Sequence, residues 1–141
     1  MRTDAVGISR RVWLGLCALP VCAALAGCGS GGPAHGRPAA GAAAVVDMGF
    51  TSFNPPEITV RVGDTVEWRN RSLITHTVTA DPARAGKAGD SALPAAGQAF
   101  DSGDIAAGEI YMHRFTVPGT YRYFCAHHES MGMVASIVVR P

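Results

Sequence analysis

Apolar and polar residues alternate with a period of two in most segments beyond residue 44. The alternation is clearest in Ile58-Thr59-Val60-Arg61-Val62 and Thr65-Val66-Glu67-Trp68-Arg69-Asn70, which are separated by a Gly63-Asp64 turn signal. Residues 45–53, 75–79, 109–115, 121–125 and 136–140 are the other predicted strands, and residues 80–98 predict a long loop. Because no segment has a convincing helical period, the pattern indicates an all-β sandwich or barrel.

The first 28 residues differ in kind from the rest of the chain. Arg2, Arg10 and Arg11 precede an uncharged apolar stretch over residues 12–26, which is shorter than the about 20 residues of a membrane span. This order predicts an export signal over residues 1–27. It ends in Leu25-Ala26-Gly27-Cys28, which resembles the lipobox of bacterial lipoproteins, where cleavage leaves a lipid-bearing cysteine at the new N-terminus.

The predicted organisation has three parts. The signal over residues 1–27 contains Ser9-Arg10-Arg11-Val12-Trp13, which resembles a twin-arginine export signal, with the general secretory route as the alternative. Residues 28–44 contain the lipidated Cys28 and a flexible Gly/Ala/Pro-rich linker. Residues 45–141 form the folded domain. We therefore expect an exported protein, lipid-anchored to the outer face of the cell membrane or periplasmic.

Charge and cysteine content exclude several classes of function. The 141 residues carry 12 basic and 11 acidic side chains, and removal of residues 1–27 would change the net charge from +1 to −1. Such a chain has no field to hold nucleic acid, and its 48% hydrophobic content is too high for a disordered protein. Cys17 and Cys22 fall in the predicted signal, so Cys125 remains as the single free thiol. A lone exported thiol indicates a reactive group, an intermolecular disulfide or a metal ligand.

Five potential metal-binding side chains fall within nine residues near the C-terminus: Cys125, His127, His128, Met131 and Met133. Thiolate and thioether are soft ligands and imidazole is borderline, so the set suits copper. Two His, one Cys and a long axial Met form the blue-copper electron-transfer site. The second His must come from elsewhere, and His76, in a β-rich segment, is the best candidate. The competing interpretation is a buried cysteine beside solvated histidines.

Residues 45–141 resemble a cupredoxin of the plastocyanin and amicyanin type. The resemblance is carried by the strands around Gly63-Asp64, the segment around His76, Phe100-Asp101-Ser102-Gly103, Pro118-Gly119-Thr120-Tyr121 and the Cys-to-Met segment. It implies a Greek-key β-sandwich of about eight strands with one type 1 copper ion. The implied ligands are His76, Cys125, His128 and a methionine.

The resemblance also distinguishes between neighbouring donors. The family spacing Cys-x-x-His selects His128, and His127 stands where relatives often have proline. The plastocyanin spacing Cys-x-x-His-x-x-x-x-Met selects Met133, whereas the shorter amicyanin spacing selects Met131. Because the residues after Met133 match the family pattern, Met133 is the implied axial ligand and Met131 the alternative.

The function that the resemblance implies is one-electron transport between redox proteins outside the cytoplasm. Thr77 and Ala126 are expected beside the ligands. We expect transient protein partners, membrane attachment through lipid on Cys28, a monomer, no nucleic acid and no enzymatic activity, since no general base–nucleophile pair is apparent. The alternative is an extracytoplasmic protein that sequesters or delivers copper.

Overall fold

A computed structural model describes residues 41–141, so the predicted signal, Cys28 and nearly all of the linker lie outside the described residues. Within that range the chain forms nine strands and one 3₁₀ turn, Glu129–Met131. The strands are β1 Ala44–Met48, β2 Phe53–Asn54, β3 Glu57–Arg61, β4 Thr65–Asn70, β5 Thr79–Ala80, β6 Phe100–Asp101, β7 Ile110–Arg114, β8 Gly119–Phe124 and β9 Val134–Arg140.

The strands form two sheets, which confirms the all-β prediction. One sheet has the order β2-β1-β4-β7, and the other has the order β3-β9-β8-β5-β6. The β1–β4 and β3–β9 pairs are parallel, and the remaining pairs are antiparallel. The first strand of the domain, β1, therefore lies beside β4, and the last strand, β9, lies beside β3, which is distant in sequence.

The two-residue period of the strands produces the core between the sheets. Val66 and Trp68 of β4 are fully buried, as are Tyr123 of β8 and Ile137 of β9. The Trp68 and Tyr123 rings meet edge to face across the sheets, with their centroids 5.6 Å apart, a favourable aromatic arrangement. A rigid, close-packed interior therefore lies beneath the segments that contain the predicted ligands.

Two predicted strands are much shorter in the structure than the sequence pattern suggested. The segment 45–53 is interrupted because the Gly49 amide donates to the Ser52 carbonyl at 2.8 Å, and the chain then turns back as β2 beside β1. In the segment 75–79 only Thr79 belongs to β5, and His76 makes an isolated bridge with Ile105. Single-sequence patterning does not register such breaks, since the residues around them are still apolar or β-branched.

The loop predicted over residues 80–98 spans residues 81–99 in the structure, because Ala80 belongs to β5. This segment, here called the 81–99 loop, contains no helix and no strand of either sheet. The loop is attached to β8 by a pair of backbone hydrogen bonds between Ala92 and Arg122, at 2.9 and 3.1 Å. Near the start of β8, the Tyr121 hydroxyl donates to the Val117 carbonyl at 3.0 Å. Between residues 41 and 141 there is no helix with the length and apolarity needed to span a bilayer.

Candidate metal centre

Three of the predicted ligands come together at one end of the sandwich. The ligand atoms of His76, Cys125 and His128 all lie within 4.8 Å of one another. Cys125 Sγ is 3.6 Å from Nδ1 of His76 and 3.4 Å from Nδ1 of His128. His76 and Cys125 are fully buried, whereas His128 is partly exposed. The site is therefore shielded on the protein side and accessible at the His128 edge.

The segment 125–133, here called the ligand loop, joins β8 to β9 and closes on itself. The Cys125 amide donates to the Met133 carbonyl at 3.0 Å, and the Met133 amide donates to the His128 carbonyl at 3.2 Å. Gly132 has a φ of +82°, a left-handed conformation that glycine adopts without steric cost, and its amide donates to the Glu129 carbonyl. These bonds bring Cys125, His128 and Met133 together although eight positions separate the first from the last.

The two methionines of the ligand loop have opposite environments. Met133 is fully buried and belongs to the same apolar cluster as Cys125. Met131 is 56% exposed at the end of the 3₁₀ turn. The environment of Met133 suits an interior thioether ligand, and that of Met131 suits a surface side chain.

The imidazole of His76 is oriented by polar residues that precede it in the chain. Ser72 Oγ lies 2.8 Å from Nε2 of His76, and it lies 2.8 Å from the Asn70 side-chain oxygen. Asn70 is itself buried and donates to the carbonyls of Ile74 and Ile105 at 2.7 and 2.9 Å. If the Ser72 hydroxyl donates to Asn70, it accepts from Nε2–H, which leaves Nδ1 free to bind a metal.

The electrostatic surroundings favour a neutral His76. Burial lowers its pKa below the ordinary value of 6.5, and the nearby His128 and His127 lower it further. A neutral imidazole is the form that binds metal ions.

Thr77 connects the His76 segment to Cys125, as its position beside the first ligand suggested. Its amide donates to Cys125 Sγ at 3.3 Å, and its hydroxyl accepts from the Ala126 amide at 2.8 Å. The Thr77 hydroxyl lies 3.0 Å from the Thr79 hydroxyl, which donates to the Asp101 carboxylate at 3.1 Å. We call this chain of hydrogen bonds the relay from Thr77 to Asp101. Since a carboxylate only accepts, each hydroxyl in the relay points towards Asp101.

His127 lies outside the donor cluster, in agreement with its predicted position beside the site. Its Nε2 pairs with the Asp104 carboxylate at 2.7 Å, and both side chains are largely exposed. Asp104 adjoins Ile105, whose backbone pairs with that of His76. This contact therefore links the ligand loop to the segment that supports the first histidine.

Several supporting residues were not identified from the sequence: Asn70, Ser72, Thr79, Asp101, Asp104 and Glu129. Only the Thr-x-Thr spacing of Thr77 and Thr79, which places two hydroxyls on one face of an extended segment, could have indicated part of this set. The remaining contacts join segments that are distant in the chain.

The donor chemistry fits copper. A buried thiol and two imidazoles with facing nitrogens form a His₂Cys set, and a buried thioether lies on the same loop. Zinc would gain little from the thioether, whereas this mixture of soft and borderline ligands suits both oxidation states of copper.

Comparison with known proteins agrees with this chemistry. The family described as copper binding proteins, plastocyanin/azurin family, matches residues 40–140. A plastocyanin of Synechococcus sp. (strain JA-2-3B'a(2-13)) is 34% identical over 109 residues, which cover 73% of this chain and 77% of the relative. The chloroplastic plastocyanin of Tetradesmus obliquus is 33% identical over 98 residues, which cover 67% of this chain and 62% of that relative, less than two thirds of its length.

Solved structures give the same result. A reduced amicyanin variant is 33% identical and superposes with a TM-score of 0.56 over 74% of this chain and 87% of its own. The cofactor that corresponds to this fold and donor set is copper. The chain belongs to the copper-binding plastocyanin/azurin family of cupredoxins.

Proposed function

We propose that this protein is a type 1 copper protein that acts as a membrane-anchored one-electron carrier between redox partners outside the cytoplasm. The observation that carries the proposal is the buried cluster of Cys125 Sγ and the Nδ1 atoms of His76 and His128, whose ligand atoms lie within 4.8 Å of one another. Bound copper would supply a Cu(II)/Cu(I) couple.

The proposed ligands are His76, Cys125, His128 and, in the axial position, Met133. The burial of Met133 beside Cys125 and the exposure of Met131 support this choice. Thr77 would hold the Cys125 sulfur through its amide, while its hydroxyl restrains the Ala126 backbone. Second-sphere hydrogen bonds of this kind orient ligands and tune the metal.

The protein would hold the metal-binding side chains in a fixed arrangement, mostly shielded from water. The ligand loop is held by its own backbone hydrogen bonds, and the His76 ring is held by Ser72. A frame held by the protein's own contacts would change little between oxidation states, so the cost of reorganisation would be small. This is the property that a carrier needs, and it is why we propose a carrier rather than an enzyme.

Three exposed apolar side chains lie close in the chain to residues of the site. Leu73, next to Ser72, is 93% exposed; Phe50, next to the turn residue Gly49, is 69% exposed; and Met131 is 56% exposed. Gly49 and Ser72 both contact His76, so their neighbours lie at the same end of the sandwich. We propose that electrons pass through the His128 edge to partners that bind transiently here, with the protein as a monomer.

The location of the protein follows from its N-terminal sequence. We propose that residues 1–27 direct export, that Cys28 carries lipid and that residues 28–44 tether the domain 45–141 to the membrane. Mass spectrometry of the mature N-terminus, with Cys28→Ala as the variant, tests this part of the proposal. An unmodified residue 28 would contradict it.

Copper loading tests the ligand assignment. We expect the full-length protein to bind one Cu(II) ion and to show the intense visible absorption of a thiolate–copper bond, which Cys125→Ser abolishes. Met133→Leu should shift the spectrum and the reduction potential, whereas Met131→Leu should leave both nearly unchanged. A colourless copper-loaded protein would contradict the type 1 site, and the reverse methionine result would contradict the axial assignment.

The same preparation distinguishes transport of electrons from transport of copper. Rapid, reversible oxidation and reduction with copper retained is expected of a carrier. Facile loss of Cu(I) to a chelator would instead favour the role in sequestration or delivery.

A further inference from the structure

The 81–99 loop and the ligand loop are joined through the side chain of Glu129. Its two carboxylate oxygens accept separate hydrogen bonds from the backbone amides of Gly86 and Lys87, at 3.0 and 3.1 Å. Hydrogen bonds to an ionised carboxylate are about twice as strong as neutral ones. A bidentate contact also fixes the orientation of the Glu129 side chain, because both carboxylate oxygens must accept their hydrogen bonds at the same time.

Gly86 provides the space for this contact. A Cβ atom placed on Gly86 would lie 3.2 Å from Oε2 of Glu129, closer than nearly all real Cβ contacts. The backbone of Gly86 does not have a positive φ, so conformation alone does not require glycine there. The absence of a side chain lets the carboxylate approach the amides.

A cleft of about 570 Å³ lies beside the contact and is lined by Lys87, Asp90 and Arg122 as well as by Glu129 and Ser130. Within the cleft, a guanidinium nitrogen of Arg122 on β8 lies 4.0 Å from a carboxylate oxygen of Asp90. The two hydrogen bonds of Glu129 are a direct restraint between the loops beside this cleft.

The position of Glu129 couples this restraint to the proposed ligands. Glu129 begins the 3₁₀ turn directly after His128, and its carbonyl accepts from the amide of Gly132, the residue before Met133. A displacement of Glu129 would therefore move the backbone of both His128 and the segment that leads to Met133.

We infer that Glu129 is a positioning residue for the copper site, and that the 81–99 loop is the support against which it holds the ligand loop. The inference rests on the proposed function, because it assumes copper bound by His128 and Met133. Before metal binds, the contact keeps the ligand loop in its binding conformation. With copper bound it resists release of the metal through movement of that loop.

Two substitutions remove the contact by different routes. Glu129→Gln keeps the size of the side chain, but its amide NH₂ cannot accept from the second backbone N–H. Gly86→Ala keeps every charge and places a Cβ atom 3.2 Å from Oε2 of Glu129, so the carboxylate must shift by a few tenths of an ångström. Glu57→Gln, at an exposed position of β3, is the matched control for the change of charge.

We expect both substitutions to accelerate amide hydrogen exchange at Gly86 and Lys87 in the metal-free protein on the order of ten-fold, as the loss of a charged hydrogen bond predicts. Release of copper to EDTA should accelerate several-fold in both variants, and the visible spectrum should broaden. Circular dichroism should remain that of the wild type, and Glu57→Gln should change none of these quantities.

The outcomes separate the two levels of the proposal. A wild-type protein that does not bind copper with a thiolate band contradicts the proposed function itself. A normal wild type with unchanged Glu129→Gln and Gly86→Ala variants contradicts only the role of Glu129. An effect in Glu129→Gln but not in Gly86→Ala, or a loss of global folding in both, would also overturn it, since the effect would then come from charge or from stability.

Discussion

Ser72 and His76 lie four residues apart and share the hydrogen bond that orients the first proposed ligand. Neither Ser72 nor Asn70 was identified as a partner of His76, because local patterning does not show which side chains meet where the chain folds back after a strand. The histidine was identifiable because the Cys125 cluster requires a second imidazole. At the scale of single residues, the donors were therefore predictable and their orienting partners were not.

Ser72→Ala should weaken copper binding. The variant removes the Ser72 hydroxyl from Nε2 of His76, so the ring is less well oriented. We expect copper affinity to fall on the order of ten-fold, a typical loss when an outer partner of a metal-binding histidine is removed. Competition with a chelator of known affinity measures the change.

Ser130→Ala serves as the control for that experiment. Ser130 lies on the ligand loop but is exposed, so its removal should leave the affinity unchanged. Equal affinities for the Ser72→Ala variant and the wild type would show that the Ser72 contact does not orient the ligand.

The 81–99 loop is the element whose role the sequence least revealed. Its prolines and glycines predicted a loop correctly, but they gave no indication of what it contacts. In the structure it meets the ligand loop at Gly86 and the start of β8 at Pro94. A loop can be recognised from local composition, whereas its contacts depend on which segments the two sheets bring beside it.

Gly119→Ala should destabilise the domain by forcing Pro94 away from β8. Gly119 has a φ of +137°, and a Cβ atom there would lie 2.5 Å from Cβ of Pro94, whose ring cannot rotate away. Overpacking of this kind costs about 1–3 kcal/mol, and the strained φ adds to it. Urea unfolding of the metal-free protein measures the loss.

Gly103→Ala is the comparison variant for Gly119→Ala. Gly103 also has a positive φ, +64°, but a Cβ atom placed there would have no heavy atom of another part of the described chain within 4 Å. It should therefore cost less than Gly119→Ala. An equal or larger cost at Gly103 would show that Pro94 does not restrain Gly119.

The two sheets are held together by aromatic contacts that include a titratable ring. His113 of β7 stacks on Phe100 of β6 in the opposite sheet, with centroids 4.1 Å apart, and it meets Phe115 edge to face. Burial among these rings lowers the pKa of His113 below its ordinary value of 6.5. Protonation of His113 is therefore less favourable in the folded domain than in the unfolded chain.

The metal-free protein should consequently lose stability as the pH falls below about 6.5. In that range the unfolded chain binds a proton at residue 113 before the folded chain does, so the free energy of unfolding decreases towards lower pH. His113→Phe removes this proton uptake and keeps the aromatic packing. Thermal melts between about pH 7.5 and about pH 5 should show a smaller decrease for the variant, because the other histidines and acids are common to both. Parallel curves would contradict the prediction.

The sequence by itself determined the class of fold and the chemistry of the site. A two-residue period specifies strands with one apolar face, and the spacing of Cys125, His128 and Met133 brings three donors together through a single short loop. Both features are local, so they could be inferred without knowing how distant segments meet. The family resemblance added the choice between neighbouring histidines and methionines.

Only the tertiary structure decided how the site is supported. The approach of His76 to Cys125, the relay from Thr77 to Asp101 and the contact of Glu129 with Gly86 each join segments more than 20 residues apart. Periodicity shows which face of a strand is apolar, but it does not show which other segment that face or its loops will meet. That depends on the pairing of the nine described strands into two sheets and on the packing of the core between them.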